Sequence, residues 1–215
     1  MLEQLLPLPI AAVERYDDEM PVELFPQEET VIGNAVPKRR FEFGTARWCA
    51  REAMKRLGFE PAPVLPGPKR EPRWPEGLVG SLTHCTGYRA AALAKTTDFL
   101  TIGIDAEPHA PAPDGVLEAI AIPAELRRIP GLRVDDPKIC WDRLLFSAKE
   151  STYKAWYPVT QRWLGFEDAD ITLNADGTFY SRILLPDTPI AGFAGTWLVQ
   201  GDVLVTAIAV PASGV

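Results

Sequence analysis

Six of the eighteen residues in "EPAPVLPGPKREPRWPEG" (60–77) are proline. Proline fixes its backbone φ near about −65° and donates no backbone hydrogen bond, so this stretch is neither a helix interior nor a central strand. A loop is therefore imposed across the first half of the chain, and separate elements must flank it. Before it, Phe43, Ala46, Ala50, Ala53, Met54 and Leu57 recur at helical spacing. They predict a helix over Arg40–Leu57, with Gly58 as its stop. After it come three expected strands, Leu78–Leu82, Tyr88–Ala94 and Leu100–Asp105, with Gly87 between the first two. "HAPAPDG" (109–115) reads as a second loop and as the natural division of the chain.

The second half follows the same plan. A helix is expected over Pro137–Trp156, with proline in its first turn and Pro158 as its stop. Strands are expected at Ala169–Leu173, Thr178–Leu185, Gly195–Gln200 and Val203–Val210, and "NADG" (174–177) suits a hairpin turn between the first two. Helix-then-strands twice over points to an α+β fold of two similar halves, 1–108 and 109–215, without a clear sequence repeat. The first 36 residues, acidic and broken by proline, read as an irregular arm.

The net charge of −7 over 215 residues argues against a general nucleic-acid binder. Its distribution is uneven. Seven acids and one base, Arg15, lie between Glu14 and Glu29. Between Pro37 and Arg56 the sign reverses: Lys38, Arg39, Arg40, Arg47, Arg51, Lys55 and Arg56 face only Glu42 and Glu52. Lys69, Arg70 and Arg73 follow. Arg40, Arg47 and Arg51 share one helical face. Such a block suits either a local anion site or a solvated helix face. No apolar run is long enough for a membrane helix. Glu3, Pro7 and Pro9 are out of place in an export signal. Cys49, Cys85 and Cys140 are widely spaced and are expected to be free thiols in a reducing cytoplasm. The patterns that mark common zinc, dinucleotide, P-loop and nucleophile-elbow sites are absent from the sequence.

Two stretches carry candidate chemistry. "TIGIDAEPH" (101–109) is strand-like and ends in Asp105, with Glu107 two residues on. Residues i and i+2 of an extended chain point to one side. Two carboxylates so placed suit a hard divalent cation, and two solvated acids at a strand end would look the same. "FSAKESTYKAW" (146–156) puts Phe146, Glu150 and Lys154 on one helical stripe, with Lys149 and Tyr153 on the next. Alone, a Glu–Lys pair at this spacing is a surface device of about 0.3–0.5 kcal/mol. Joined to Asp105 and Glu107, it supplies a third carboxylate and one or two ammonium groups. That set suits magnesium-assisted transfer of a phosphate-linked group. His84, in "VGSLTHCTG" (79–87), fits either a phosphate contact or a structural hydrogen bond.

"IGIDAE" followed by "FSAKESTYK", with "GSLTH" upstream, resembles the signature of the Sfp-type 4′-phosphopantetheinyl transferases. Asp105 and Glu150 stand 45 positions apart, as in that signature, and the resemblance covers roughly 37–210. "RWLGFEDADITL" (162–173) and the acidic arm resemble actinobacterial members. The resemblance implies two halves related by pseudo-twofold symmetry with the active site between them. It implies that the phosphopantetheine arm of coenzyme A (CoA) moves to a serine of an apo acyl or peptidyl carrier protein, releasing adenosine 3′,5′-bisphosphate. This is an activity of the holo-acyl-carrier-protein synthase type, with magnesium, or manganese in its place, as cofactor.

By the same resemblance, Asp105, Glu107 and Glu150 ligate the metal, Glu150 is the base for the carrier serine, and Lys154 assists at the phosphate. Lys149 contacts phosphate, and His84 meets the 3′-phosphate of CoA. Arg40, Arg47, Lys69 and Arg70 are further phosphate contacts, with Ser81 and Thr83 bonding nearby. Trp156, Arg162 and Trp163 suit either carrier docking or, for the tryptophans, core packing. "KES" in place of "KEA" is associated with members serving non-ribosomal peptide and polyketide pathways. A cytoplasmic monomer is the simplest expectation. The rival readings are a carrier-binding or CoA-binding module without turnover and a magnesium-dependent phosphohydrolase.

Overall fold

The computed structural model describes residues 1–17 and 21–212. Helix α1 (Leu2–Leu5) leads into strand β1 (Ala11–Arg15), followed by helices α2 (Pro26–Ile32) and α3 (Pro37–Arg56). The expected irregular arm is therefore partly regular, and β1 pairs antiparallel with a strand far along the chain. Its Ala11, Ala12 and Val13 are buried, an apolar run that the surrounding acidic residues masked. Residues 18–20 of the arm lie outside the described residues. Helix α3 starts at Pro37, earlier than expected, because proline at the first helical position gives up a hydrogen bond that would not form there anyway.

The proline-rich stretch forms a strap. Its ends pair as two-residue strands, β2 (Leu65–Pro66) and β3 (Pro72–Arg73). Strands β4 (Leu78–Cys85) and β5 (Tyr88–Lys95) then form a hairpin, and the first sheet has the order β1-β5-β4. The central strand β5, "YRAAALAK", is buried on both faces and alternates. Ala91 and Leu93 pack under α3 with Ala50, Ala53 and Met54. Tyr88, Ala90, Ala92 and Ala94 pack against Ile102, Ile104, Val205 and Ala207 of the second sheet. Alanine at these positions lets three layers approach closely.

The second sheet is antiparallel, with the order β6-β10-β9-β8-β7. Its strands are β6 (Phe99–Pro108), β7 (Ala169–Leu173), β8 (Thr178–Ile183), β9 (Gly192–Gln200) and β10 (Val203–Pro211). Between β6 and β7 lie helices α4 (Val116–Ile120), α5 (Pro123–Asp135) and α6 (Trp141–Thr160). Strand β6 is hydrogen bonded to β10, so the sheets part before Phe99 and not at the expected division after residue 108. Helix α6 covers the second sheet, burying Trp141, Leu144, Leu145, Ala148, Ala155 and Trp156 over Ile171, Leu204 and Ile208. It starts later than expected, because Trp141 Nε1 donates to Asp136 O and the chain around Pro137 runs as a link. It also runs past Pro158 to Thr160. In the last turn the missing proline donor costs one hydrogen bond only, and Gln161, at φ 54°, ends the helix.

The two sheets meet where β4 lies along β6. Among the described residues no backbone ladder joins them. Instead Ser81 Oγ accepts the Ile104 N–H at 3.2 Å and Thr83 Oγ1 accepts the Ala106 N–H at 2.8 Å. Two hydroxyls thus take the place of strand carbonyls and hold β6 beside the first half.

Candidate active site

Alternation along β6 divides its side chains. Ile102, Ile104 and Ala106 enter the core, while Gly103 and Asp105 face α6. There Lys154 Nζ donates to Asp105 Oδ1 at 2.7 Å, and Thr83 Oγ1 approaches the same oxygen at 3.4 Å. The other oxygen, Asp105 Oδ2, is buried without a partner. Glu150 stands one turn before Lys154 on α6. Burial, with the charge of Asp105 adding, pushes its carboxyl above the ordinary value, and Lys154 opposes the shift. Glu107 is likewise raised by burial and by Asp105, and is held back by Arg143, whose Nη1 donates to Glu107 Oε2 at 3.0 Å.

Glu107 and Glu150 thus each feel the charge of Asp105. Among the described residues they do not converge into a ready metal cage, since Asp105 is engaged by Lys154 and Glu107 by Arg143. The donor set is nonetheless all hard oxygen, and Oδ2 of Asp105 is a buried acceptor awaiting a partner. These residues fit a divalent cation.

From Glu150 and Lys154 a cleft of about 590 Å³ opens between the halves. Its walls are α3, β4, the strap and α6. Five cationic side chains line it: Arg39, Arg47, Lys69, Arg70 and Lys154, with His84 beside them. Arg39 Nη1 donates to His84 Nε2. A guanidinium only donates, so that imidazole is neutral at Nε2. Burial, then Arg39 and Lys154, keep His84 below its ordinary value. Arg47 lies over the Phe43 ring at 3.5 Å and donates through Nε to Val64 O at 3.3 Å. Burial pulls it down to about 10, so it stays charged at neutral pH. Lys69 reaches over the ring of Trp163, 5.7 Å from its centroid.

Several expected residues lie elsewhere. Arg40 is turned away from the cleft and pairs with Glu29 at 2.5 Å; its neighbour Arg39 takes the cleft position. Arg51, on the same expected face, is held by Glu28 at 2.9 Å and packs inside. Lys149 is buried on the far side of α6. Its Nζ donates to Phe166 O at 2.6 Å and Ala169 O at 2.8 Å, and pairs with Glu125 at 3.0 Å. A phosphate contact by Lys149 is therefore corrected to a structural role. Ser81 and Thr83 line the cleft, but their hydroxyl acceptors serve the seam. Trp156 is fully buried and is core, whereas Trp163 is exposed at the rim against Tyr153.

Sequence reasoning missed Arg39, Tyr153 and Arg143 as parts of the site. For Arg39 the signal was present: Arg39, Phe43, Ala46 and Arg47 recur at helical spacing, and all four line the cleft. Tyr153 has a buried hydroxyl without a partner beside Glu150.

A cationic cleft between the two sheets, with Glu150 and Lys154 in its wall, suits an enzyme acting on a phosphorylated substrate. Residues 27–94 match the 4′-phosphopantetheinyl transferase N-terminal domain, and residues 101–208 match the 4′-phosphopantetheinyl transferase superfamily. The chain belongs to this superfamily, whose members transfer the phosphopantetheine group to carrier proteins. It is 49% identical over 195 residues to 4′-phosphopantetheinyl transferase Svp of Streptomyces mobaraensis, covering 88% of this chain and 79% of that one. It is 48% identical over 209 residues to 4′-phosphopantetheinyl transferase PptT of Mycobacterium tuberculosis, covering 93% and 91%. A more distant relative, enterobactin synthase component D of Salmonella typhi, is 32% identical over 86% of this chain and 80% of its own. The family matches divide between β5 and β6, where the two sheets part.

Proposed function

We propose that the cleft binds CoA and that its phosphopantetheine arm is moved to the serine of an apo acyl or peptidyl carrier protein. The observation that carries this reading is the Asp105–Lys154 pair at the head of a cationic cleft, with Glu150 one turn away. Arg39, Arg47, Lys69, Arg70 and His84 hold the phosphates of CoA, because a local cluster outweighs the net negative charge within a Debye length of about 8 Å. The serine oxygen attacks the phosphorus next to the pantetheine. The bond to the second phosphate breaks, and adenosine 3′,5′-bisphosphate leaves. Glu150 takes the serine proton, a role that its raised proton affinity favours. Lys154 offsets charge on the departing phosphate. Magnesium, when bound by Asp105 and Glu150, would neutralise the diphosphate.

Both walls of the cleft come from one chain, which supports a monomer as the active unit. Arg162 and Trp163, exposed at the rim, are proposed for carrier docking. Three free cysteines support a cytoplasmic setting. No helix among the described residues is long and apolar enough to cross a membrane.

The test is incubation with CoA, magnesium and several apo carriers, followed by mass spectrometry of the carrier. A gain of one phosphopantetheine, abolished by Glu150→Ala in a folded protein, is expected. Free phosphopantetheine with every carrier unmodified would instead support a phosphohydrolase, and carrier binding without turnover a binding module.

A further inference from the structure

Arg47 is held in the cleft by the backbone of the strap. Its Nε donates to Val64 O at 3.3 Å, and its guanidinium lies over the Phe43 ring. Among the described residues no carboxylate forms a salt bridge with it, since Glu28 is paired with Arg51 and Glu29 with Arg40. The N–H groups on its Nη edge are left for a ligand. Val64 is the root of the strap, next to β2, and it is gripped from behind. Its N–H donates to Glu28 Oε1 at 2.9 Å. Both polar groups of the Val64 backbone are thus taken, one by Glu28 and one by Arg47.

Glu28 comes from the first turn of α2 and is fully buried, and it lies outside the cleft. Its other oxygen accepts from Arg51 Nη1 at 2.9 Å and from the Phe25 N–H at 3.1 Å. Arg51 Nη2 donates in turn to Glu23 O at 2.9 Å. One carboxylate therefore ties α2, α3 and the root of the strap together. For stability alone, well-packed apolar side chains serve as well as a buried ion pair. What apolar side chains do not supply is a fixed direction for the Val64 peptide groups. A guanidinium on a flexible stem binds an anion more tightly when its rotamer is set beforehand. We propose that Glu28 is a positioning residue for CoA: through Val64 it sets the direction of Arg47 and so turns the Nη edge of that guanidinium into the cleft. Burial pulls the Arg47 guanidinium down, and the charge of Glu28 opposes this, so the same carboxylate helps to keep Arg47 cationic. The inference rests on the reading that Arg47 holds a phosphate of CoA.

The experiment is a double-mutant cycle on the full chain, with KM for CoA and kcat measured by the carrier mass assay at a temperature where each variant is folded. Arg47→Met keeps the stem over Phe43 and should raise KM by about ten- to a hundredfold, the loss of one charge-assisted bond. Glu28→Gln frees the rotamer of Arg47 and should raise KM by roughly two- to tenfold with kcat retained. In the Arg47→Met background, Glu28→Gln should change KM no further, because the group it positions is gone. It should lower Tm in both backgrounds. Glu28→Asp keeps the charge but is one methylene short of holding Val64 and Arg51 together, so it raises KM in the same way. It carries the cycle if Glu28→Gln does not fold. The proposal is overturned if the Glu28 variants leave KM unchanged, or if they raise it by the same factor with and without Arg47→Met, which is the mark of a purely structural role. An unchanged KM in Arg47→Met refutes the phosphate contact of Arg47 itself. A raised KM there, with additive or absent effects of the Glu28 variants, refutes only the role of Glu28.

Discussion

Gly103, the glycine of "IGID", is predicted to tolerate no side chain. It lies in β6 two residues before Asp105, where α6 crosses the strand. A Cβ at this position would stand 2.1 Å from Ser151 O, 2.7 Å from Ala155 N and 2.9 Å from Ala155 Cβ. Two of these are backbone atoms of a helix, so no rotamer change relieves the clash. An ordinary C···O contact is about 3.3 Å or more, so Gly103→Ala must move α6 and β6 apart by roughly 1 Å. Overpacking of this kind costs about 1–3 kcal/mol. In a chain of this length each kcal/mol is worth about 2–4 °C in Tm. Differential scanning calorimetry should therefore show a fall of several degrees. The kinetic effect should be larger than the stability loss suggests. The same contact sets the 2.7 Å bond between Asp105 and Lys154 and the distance from Asp105 to Glu150. A displacement of about 1 Å at reacting groups can cost about 10²-fold in rate. The carrier mass assay should record that loss in kcat/KM at a temperature where the variant is still folded. An unchanged Tm together with an unchanged kcat/KM would refute the close packing of α6 on β6.

Lys149→Met should act on stability, because removing one member of a buried pair strands Glu125 at a cost of about 3–5 kcal/mol; an unchanged Tm with a raised KM for CoA would restore Lys149 to the cleft. Arg39→Ala should raise KM for CoA, by about ten- to a hundredfold if it loses one charge-assisted bond of about 1.5–3 kcal/mol, while Arg40→Ala changes KM little. The reverse order would refute the assigned phase of α3. Glu150→Gln should raise the Tm of the metal-free protein at neutral pH while abolishing transfer. A carboxyl raised by folding stabilises fully below its unfolded pKa, and that contribution is lost as pH rises through the folded value. At neutral pH the charged Glu150 is therefore a burden that the amide relieves; a lower Tm would refute this reading.

The sequence signals that carried over to the structure were local ones. Short strand-like runs bounded by turn residues marked β5 and β6, and helical spacing from Phe43 to Leu57 marked α3. Helix α5 went unnoticed because Arg127, Arg128, Pro130, Gly131 and Arg133 dilute its apolar stripe of Leu126, Ile129 and Leu132. Neighbouring residues on a helix are rotated by about 100°, so a basic run locates charge along the chain but not around the axis. That rotation is why Arg39 enters the cleft and Arg40 does not. It also separates Lys149 from Glu150 within one motif. Glu150 turns to the cleft, while Lys149 turns to Glu125, a partner on another helix that no local pattern announces. The carboxylates show a different limit. Asp105, Glu107 and Glu150 were recognisable as a set, yet the restraint that Lys154 and Arg143 place on two of them is a matter of geometry. A fold selected for stability alone would not gather two acids, Glu107 and Glu150, whose proton affinity the charge of Asp105 raises. It would neutralise or disperse them. Their persistence, with a buried oxygen of Asp105 left without a partner, is what a site built to meet a cation and a diphosphate requires.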